Sequence, residues 1–476
     1  MMSSPKSNSN RLSPEIKKSV AIILIGNFLE FFDLLLAVHM TITLTKVFLP
    51  EDSQFTPLLA TFTFCSSFCI RPLAALFWGY IGDAIGRVPV LISTTFLMSI
   101  SCILIPNIPP YAEWGITSSA LFLFMRLIQG FASGGECIAA DVFITETIPK
   151  PKVYFCSALV EATCSLGGLV ACGIGTICIT LSPENGWKIP FYIGSGIAVL
   201  GTIARKTLKE TPEFLKTLQE NAERKKIIDF FSEINLKNNN IFALFAMYLL
   251  PAVAFYFSLA YIPTVLAKEF NLPTNLIMMQ TTIVLIITMC CEIFYGYLGL
   301  RYDPFSILKT KLYLLILVIP ISIWTYIHFK SPFTLFLIQS SINFLGQGLT
   351  PATPIINKSF PIAHRYTYLL LIWAVSHSGM YLLTGFVCEA ISNFVYLSIF
   401  LLACAGISLL GTHFFQSHTK LVSQKINTAV SEKIQKMDIN QFAELDAQLN
   451  LNDGQHPLYD KLKRTLIKDW IKKHLP

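Results

Sequence analysis

The sequence predicts an all-α membrane protein, with twelve transmembrane helices arranged as two six-helix bundles. Three observations lead there. Of 476 residues, 53% are hydrophobic and only 14% charged, and the mean hydropathy is +0.57, too apolar for a soluble chain of this size. Apolar stretches long enough to cross the hydrocarbon layer as helix, about 20 residues each, can be marked twelve times. One abruptly polar segment, RKTLKETPEFLKTLQENAERKKIIDFFSEINLKNNN over 205–240, holds eight Lys/Arg and six Asp/Glu and divides the spans six and six. A polar linker in that place is how two bundles related by an axis along the membrane normal are strung together.

In order, the spans run Val20–Val47, Phe55–Tyr80, Val88–Ile105, Ile116–Thr147, Val153–Leu181, Trp187–Ala204, Ile241–Ala267, Leu276–Leu300, Leu308–Phe329, Pro332–Asn357, Tyr366–Ile391 and Phe394–Phe415. Several exceed the minimum length and imply tilt. The expected organisation is an N-terminal segment 1–19, a first bundle 20–204, the linker 205–240, a second bundle 241–416 and a tail 417–476. The first apolar run is too long for a signal-peptide core and stays as the first helix.

The net charge of +7 is spread over loops, so it argues against a nucleic-acid partner. Lys6, Arg11, Lys17, Lys18, Arg87, Lys150, Lys152, Arg301, Lys309, Lys311, Lys358 and Arg365 fall on one side together with the linker. By the positive-inside rule that side is cytoplasmic, with both termini there. All 12 cysteines lie inside the spans and read as small apolar residues, not as a disulfide or metal framework. No phosphate-binding loop, HExxH or GxSxG element occurs on a suitable structure, so neither an enzyme nor a hydrolysis-driven pump is expected, and no cofactor.

Ionisable side chains inside a bilayer are expensive and mark functional candidates. Glu30 and Asp33, at i and i+3 in the first span, share one helical face. Two carboxylates in low dielectric compete for ionisation, which makes them proton-binding candidates; the alternative is pairing with a basic residue on a neighbouring helix. Arg71 lies in the second span. In the fourth, Arg126, Gln129, Gly130 and Ser133 form one stripe, with Glu136 about 80° around the helix as a further proton-binding candidate. Arg71 and the Arg126–Gln129 stripe suit a carboxylate anchor; an interhelical salt bridge from Arg126 to Glu30 or Asp33 is the alternative. In the tenth span Gln339, Asn343, Gln347, Thr350 and Asn357 fall within about 80° of circumference, facing either a cavity or another helix. Pro351 and Pro354 should loosen that helix. The eleventh span adds Trp373, His377 and Tyr381 at i, i+4 and i+8, with His377 either a hydrogen-bonding or a proton-relay residue.

Between the second and third spans stands GYIGDAIGRVPVL, Gly79 to Leu91, in a polar break just long enough to reverse the chain. Gly79, Gly82 and Gly86 permit close approach and a tight turn, and Asp83 and Arg87 are spaced to pair. Together with GNFLEFFD (Gly26 to Asp33), RPLAALFWGYIGDAIGR (Arg71 to Arg87), RLIQGFASGGE and ETIP (Arg126 to Pro149), and LKETPEF (Leu208 to Phe214), this resembles the metabolite:H+ symporters of the major facilitator superfamily. That branch includes carriers for proline and betaine, alpha-ketoglutarate, citrate and shikimate. FPIAHRY (Phe360 to Tyr366) is similar to the start of the family's eleventh helix, although Tyr368 stands where glycine is usual and Ala374 where asparagine is usual. In the second half the equivalent loop, GYLGLRYDPFSIL, has Leu300 in place of the acid and no GR pair.

The resemblance implies proton-coupled import of a small organic solute by alternating access. It also implies a gating role for Gly79, Asp83, Gly86 and Arg87, with Asp83 docking on the positive end of the eleventh helix near Arg365. A facilitator or exchanger of the same fold is the nearest rival, and a membrane sensor signalling through the tail is another. Eight acids in the spans (Glu30, Asp33, Glu136, Asp141, Glu146, Glu161, Glu292, Glu389) against Arg71 and Arg126 favour a cationic or zwitterionic solute with a proton over a dicarboxylate held by both arginines. The tail residues Leu458, Leu462, Leu466, Ile467, Trp470 and Ile471 repeat at helical spacing. They fit a surface helix on anionic lipid, a solvated helix or a protein contact.

Overall fold

A computed structural model of the chain describes residues 13–50, 66–182, 185–220, 239–391 and 393–435. The six helices before the linker are α1 (Pro14–His39, followed by Thr41–Phe48), α2 (Arg71–Ala84), α3 (Arg87–Leu104), α4 (Ile116–Thr147), α5 (Lys152–Leu181) and α6 (Lys188–Arg205). A linker helix, Pro212–Glu220, precedes α7 (Asn239–Tyr256), which passes through a π-helical turn at Phe257–Tyr261 into Ile262–Phe270. Then come α8 (Thr274–Gly299), α9 (Pro304–His328), α10 (Pro332–Gly346, resuming at Thr353–Lys358), α11 (Arg365–Ile391) and α12 (Phe394–Gln435).

Among the described residues nine helical spans are long and apolar enough to cross a membrane unaided. The described parts of α2, α6 and α10 occupy the other three of the twelve expected positions. The α2 part is short because residues 51–65 lie outside the described set. Helix α12 runs 42 residues, past the expected end at Phe415; at about 1.5 Å per residue it is roughly twice the length of a hydrocarbon crossing. The amphipathic segment Leu458 to Ile471 and the side chain of Glu389 lie outside the described residues. By its internal contacts the chain forms two compact units, Met1–Thr412 and His413–Pro476.

Local chemistry sets the helix starts. Ser13 caps α1 by accepting from Ile16 N at 3.3 Å, Asp303 caps α9 from Ser306 N at 2.8 Å, and Ser331 caps α10 from Thr334 N at 3.2 Å. Each is followed by proline at the first helical position, where a missing N–H costs nothing. Lipid tails are as apolar as leucine, so helices associate through close packing and polar contacts between them. Phe32, Leu36, Met40 and Phe48 cluster with Met98 of α3 and Ile105 just after it, Phe122 and Met125 of α4, and Phe191 of α6 with Trp187 just before it. Helix α2 lies along α11 and α5 along α8, so two helix pairs join the chain before the linker to the chain after it.

Two expectations are corrected here. The polar face of the tenth span does not continue to Asn357, because the helix stops at Gly346. Gly348 has φ +68° and Pro351 has no N–H to donate, so the intrahelical ladder cannot cross residues 347–352. Irregular backbone at membrane depth is tolerated where protein covers it, and the cover is Lys311. Counted among the loop charges, Lys311 is instead only 2% exposed; its Nζ donates to the freed carbonyls of Gln347 at 3.1 Å and Thr350 at 3.5 Å and sits over the Tyr295 ring.

Candidate functional site

A cavity of about 150 Å³ lies between the helices before and after the linker. In its lining the Arg71 guanidinium lies 4.7 Å from the Phe68 ring centroid and 5.2 Å from that of Trp373. Trp373 stacks on His377, which meets Tyr381 and Tyr248 edge-on. His377 Nδ1 lies 3.0 Å from the Trp373 carbonyl, an acceptor, so this nitrogen carries a proton. The lining also holds Asp141, Glu161 and Glu292, with Asn27, Gln347 and Thr353. Asn27 is held by α5: its Nδ2 donates to Val160 O at 2.8 Å and Thr163 Oγ1 at 3.1 Å.

Of the residues expected to bind solute, Arg71, Gln347, Trp373 and His377 line this cavity. The others expected to do so make contacts within one half. Arg126 donates to Gln129 at 2.8 Å and to Ser67 at 3.2 Å, and Gln129 reaches Cys102 at 3.5 Å. Gln339 and Asn343 fasten α10 to the π turn of α7: Gln339 Nε2 donates to Ser258 O at 2.7 Å and Asn343 Nδ2 to Ser258 Oγ at 2.5 Å.

The three proton-binding candidates sit among the first six helices. Glu30 accepts from Ser133 at 2.8 Å, and Ser133 in turn accepts from Arg71 at 3.1 Å, so that hydroxyl links Glu30 to the cavity wall. Asp33 is fully buried beside Cys102, Gly194 and Glu136. Glu136 pairs with Arg205, which sequence reasoning assigned to the linker and the structure buries in the last turn of α6. Arg205 also donates to Leu91 O at 2.8 Å. Asn27 as a cavity residue, and Asp141, Glu161 and Glu292 as a group apart from the other acids, have no signal in the sequence; that four different helices turn them into one cavity is a tertiary fact that helical periodicity does not carry.

The linker-side ends of the helices are closed by a second set of groups. Asp83 accepts from the backbone N–H of Tyr366 at 3.2 Å and of Thr367 at 2.8 Å, and from Thr367 Oγ1 at 2.7 Å. It therefore caps the N-terminus of α11, where the helix dipole is positive. Arg87 pairs with Asp83 at 3.2 Å and with Glu146 at 3.1 Å, and Glu146 also takes Arg365 at 3.0 Å. Arg365 extends to Glu213 of the linker helix at 2.7 Å, and Glu213 to Lys358 at 2.9 Å.

Burial would raise the Glu213 carboxyl, but hydrogen bonds from Arg365 and Lys358 outweigh it and hold the group below the usual carboxylate range. Its contribution is thus present above the unfolded value, about 4.3, and is lost only as pH falls through the lower folded one. Gly86 has φ +140°, which only glycine adopts without strain, and Glu210 Oε2 accepts from Val88 N at 3.0 Å to cap α3. Gly79 brings α2 close enough to α11 that a Cβ there would stand 2.9 Å from Thr367 Oγ1.

Comparison with known proteins agrees with this geometry. The chain is 31% identical over 270 residues to the proline/betaine transporter of Salmonella typhimurium, covering 54% of each chain. It is 30% identical over 303 residues to a putative proline/betaine transporter of Staphylococcus aureus, covering 62% of this chain and 65% of that one. The chain thus spans about half to two thirds of the length of these curated relatives. The solved proton:xylose symporter XylE of E. coli superposes with a TM-score of 0.70 at 15% identity, over 85% of this chain and 96% of its own, a likeness of fold. The family model of the Major Facilitator Superfamily matches residues 23–384, from α1 into α11. With its all-helical build, the Asp83 to Arg87 turn docked on α11 and this match across three quarters of its length, the chain is a multi-pass membrane protein of the Major Facilitator Superfamily.

Proposed function

We propose that the protein is a secondary active transporter that imports a small zwitterionic solute, of the betaine or proline kind, together with protons. The observation that carries this reading is the chemistry of the cavity lining: a guanidinium set between aromatic rings, together with three carboxyls. Arg71 offers a solute carboxylate charge-assisted hydrogen bonds. The faces of Trp373 and Tyr381 suit the cationic pole, which the acids attract from beyond. A cavity of about 150 Å³ accepts a molecule of benzene size; betaine and proline are of that order, and citrate is larger. The relatives that carry the proline/betaine name support the same class.

In this scheme the chain resides in a bacterial cytoplasmic membrane with the linker and both termini inside. The halves 20–204 and 241–416 rock about the cavity, and the Asp83, Arg87, Glu146 and Arg365 set holds the linker side shut. A facilitator of the same fold would use the cavity but not the proton.

The substrate class is tested on purified protein by thermal unfolding with glycine betaine, proline, choline, alpha-ketoglutarate and citrate in turn. A ligand that binds only the folded state at 100 times its dissociation constant adds about 2.7 kcal/mol of stability. Betaine and proline should raise the melting temperature while citrate leaves it unchanged. A shift with the di- and tricarboxylates alone would overturn the zwitterion reading.

A further inference from the structure

From the acids of the cavity lining we infer that the Asp141, Glu161, Glu292 and Lys311 cluster takes up one proton with each zwitterionic solute, and that this cluster, not Asp33, couples transport to the proton gradient. The inference rests on the symport reading above and specifies where its proton binds.

The cluster is divided between the halves. Asp141 comes from α4 and Glu161 from α5, Glu292 from α8 and Lys311 from α9, where α5 and α8 pack side by side. Each acid lies within charge range of its neighbours, and Lys311 within range of Glu161 and Glu292. The other ionisable groups around it are few. Tyr248 of α7 faces Asp141 and Glu161, and Tyr295 and Cys291 of α8 stand near Glu292. Arg71 of α2, Cys164 of α5, and His377 and Tyr381 of α11 are the other ionisable groups of the lining among the described residues. Helix α1 contributes neutral residues (Asn27, Phe31, Leu34, Leu35), and the break in α10 contributes Gln347 and carbonyls.

Two further observations call for a hydrogen-bond donor, which a bound proton supplies, in this lining. Glu292 is 4% exposed and Asn27 1%; among the described residues, Glu292 Oε2 and Asn27 Oδ1 have no hydrogen-bond partner, and both side chains line the cavity. Buried acceptors left unpaired are costly. Ser157 already donates to Asp141 at 2.8 Å, and Lys311 is committed to the carbonyls of Gln347 and Thr350.

Charge balance sets the stoichiometry. Fully ionised, three carboxylates against Arg71 and Lys311 leave the cavity one negative charge in excess. A zwitterion adds none, so one proton makes the loaded cavity neutral. Without it, carboxylates on α4 and α5 repel Glu292 on α8 across the surface along which the halves must close. By contrast Asp33 and Glu136 lie behind the cavity wall, with Glu136 already paired to Arg205.

The test uses the full chain in proteoliposomes with radiolabelled glycine betaine. With the membrane potential clamped at zero, a pH difference of one unit supports about tenfold accumulation at one proton per solute and about 100-fold at two. Tenfold is expected for the wild type and for Asp33→Asn. Glu161→Gln and Asp141→Asn, each making the cavity neutral without a proton, should lose this accumulation. Their folding is read separately, as an unfolding temperature close to that of the wild type, and their exchange of internal for external betaine, whatever its rate, should no longer depend on pH.

Retained tenfold accumulation in both carboxamide variants, or its loss in Asp33→Asn with exchange intact, overturns the assignment. So does wild-type accumulation driven by a sodium gradient at equal pH, which would identify the cation as sodium. If the folded carboxamide variants neither accumulate nor exchange betaine, the acids are needed for binding and not for coupling, and the assignment is overturned. Absence of any wild-type betaine transport refutes the transport reading itself, a result distinct from all of these.

Discussion

Replacing Asp83 by asparagine should cut solute uptake tenfold or more while leaving the protein folded. The carboxylate accepts from two backbone N–H groups and one hydroxyl at the start of α11 and pairs with Arg87, all at a helix end whose dipole favours a negative charge. Asparagine keeps one acceptor oxygen, but whichever way its amide is turned its NH2 group faces a backbone N–H, of Tyr366 or of Thr367, that has no lone pair to accept it. The loss is about 2 kcal/mol or more, roughly a 30-fold change in the balance between two states. In the proposed alternating-access scheme these contacts belong to the state closed on the linker side alone, so the change shifts populations without touching the cavity. In a background freed of reactive native cysteines, a single cysteine on the linker-side face of α11 should label faster in Asp83→Asn. Unchanged labelling with normal transport would reduce Asp83 to a residue of the turn.

Arg71→Ala should weaken solute binding by about 10- to 150-fold, the loss expected for a charged hydrogen bond worth about 1.5–3 kcal/mol. Lysine should restore little of it. The guanidinium is positioned by the Phe68 and Trp373 rings and by its bond to Ser133, and an ammonium presents no planar fork to a carboxylate. Arg126→Lys should lower stability but spare the affinity, since Arg126 bonds to Gln129 and Ser67 and lies off the cavity. Calorimetric titration with betaine separates the two. Equal affinity in Arg71→Ala and wild type would remove Arg71 from the site.

Features set by local chemistry were legible in the sequence. The GYIGDAIGR turn carries its own instructions: glycines where helices must touch, an acid placed to meet a helix end, and an arginine one turn later. The structure docks it on Tyr366 and Thr367 as the resemblance implied. What depends on helix rotation was not legible. Periodicity puts Glu30 and Asp33 on one face of α1 but does not say which way that face looks. Asn27, bonded to α5, fixes the rotation so that Asn27, Phe31 and Leu34 meet the cavity and Asp33 turns inward. Lys311, three residues into the ninth apolar run, reads as a loop charge until the break in α10 shows which carbonyls it satisfies. Arg205 likewise reads as linker until its pairing with Glu136 places it in α6. The amides Gln339 and Asn343 fitted both a cavity face and a helix contact, and the π turn of α7, with no sequence signature of its own, is what they bind.

The most direct test of the account is uptake of labelled glycine betaine by proteoliposomes containing only this protein, with acid outside and again with equal pH on both sides. The account predicts accumulation above the external concentration in the first case, equilibration without accumulation in the second, and collapse of the first when a protonophore is added. Uptake that is the same with and without the gradient would contradict proton coupling and leave a facilitator.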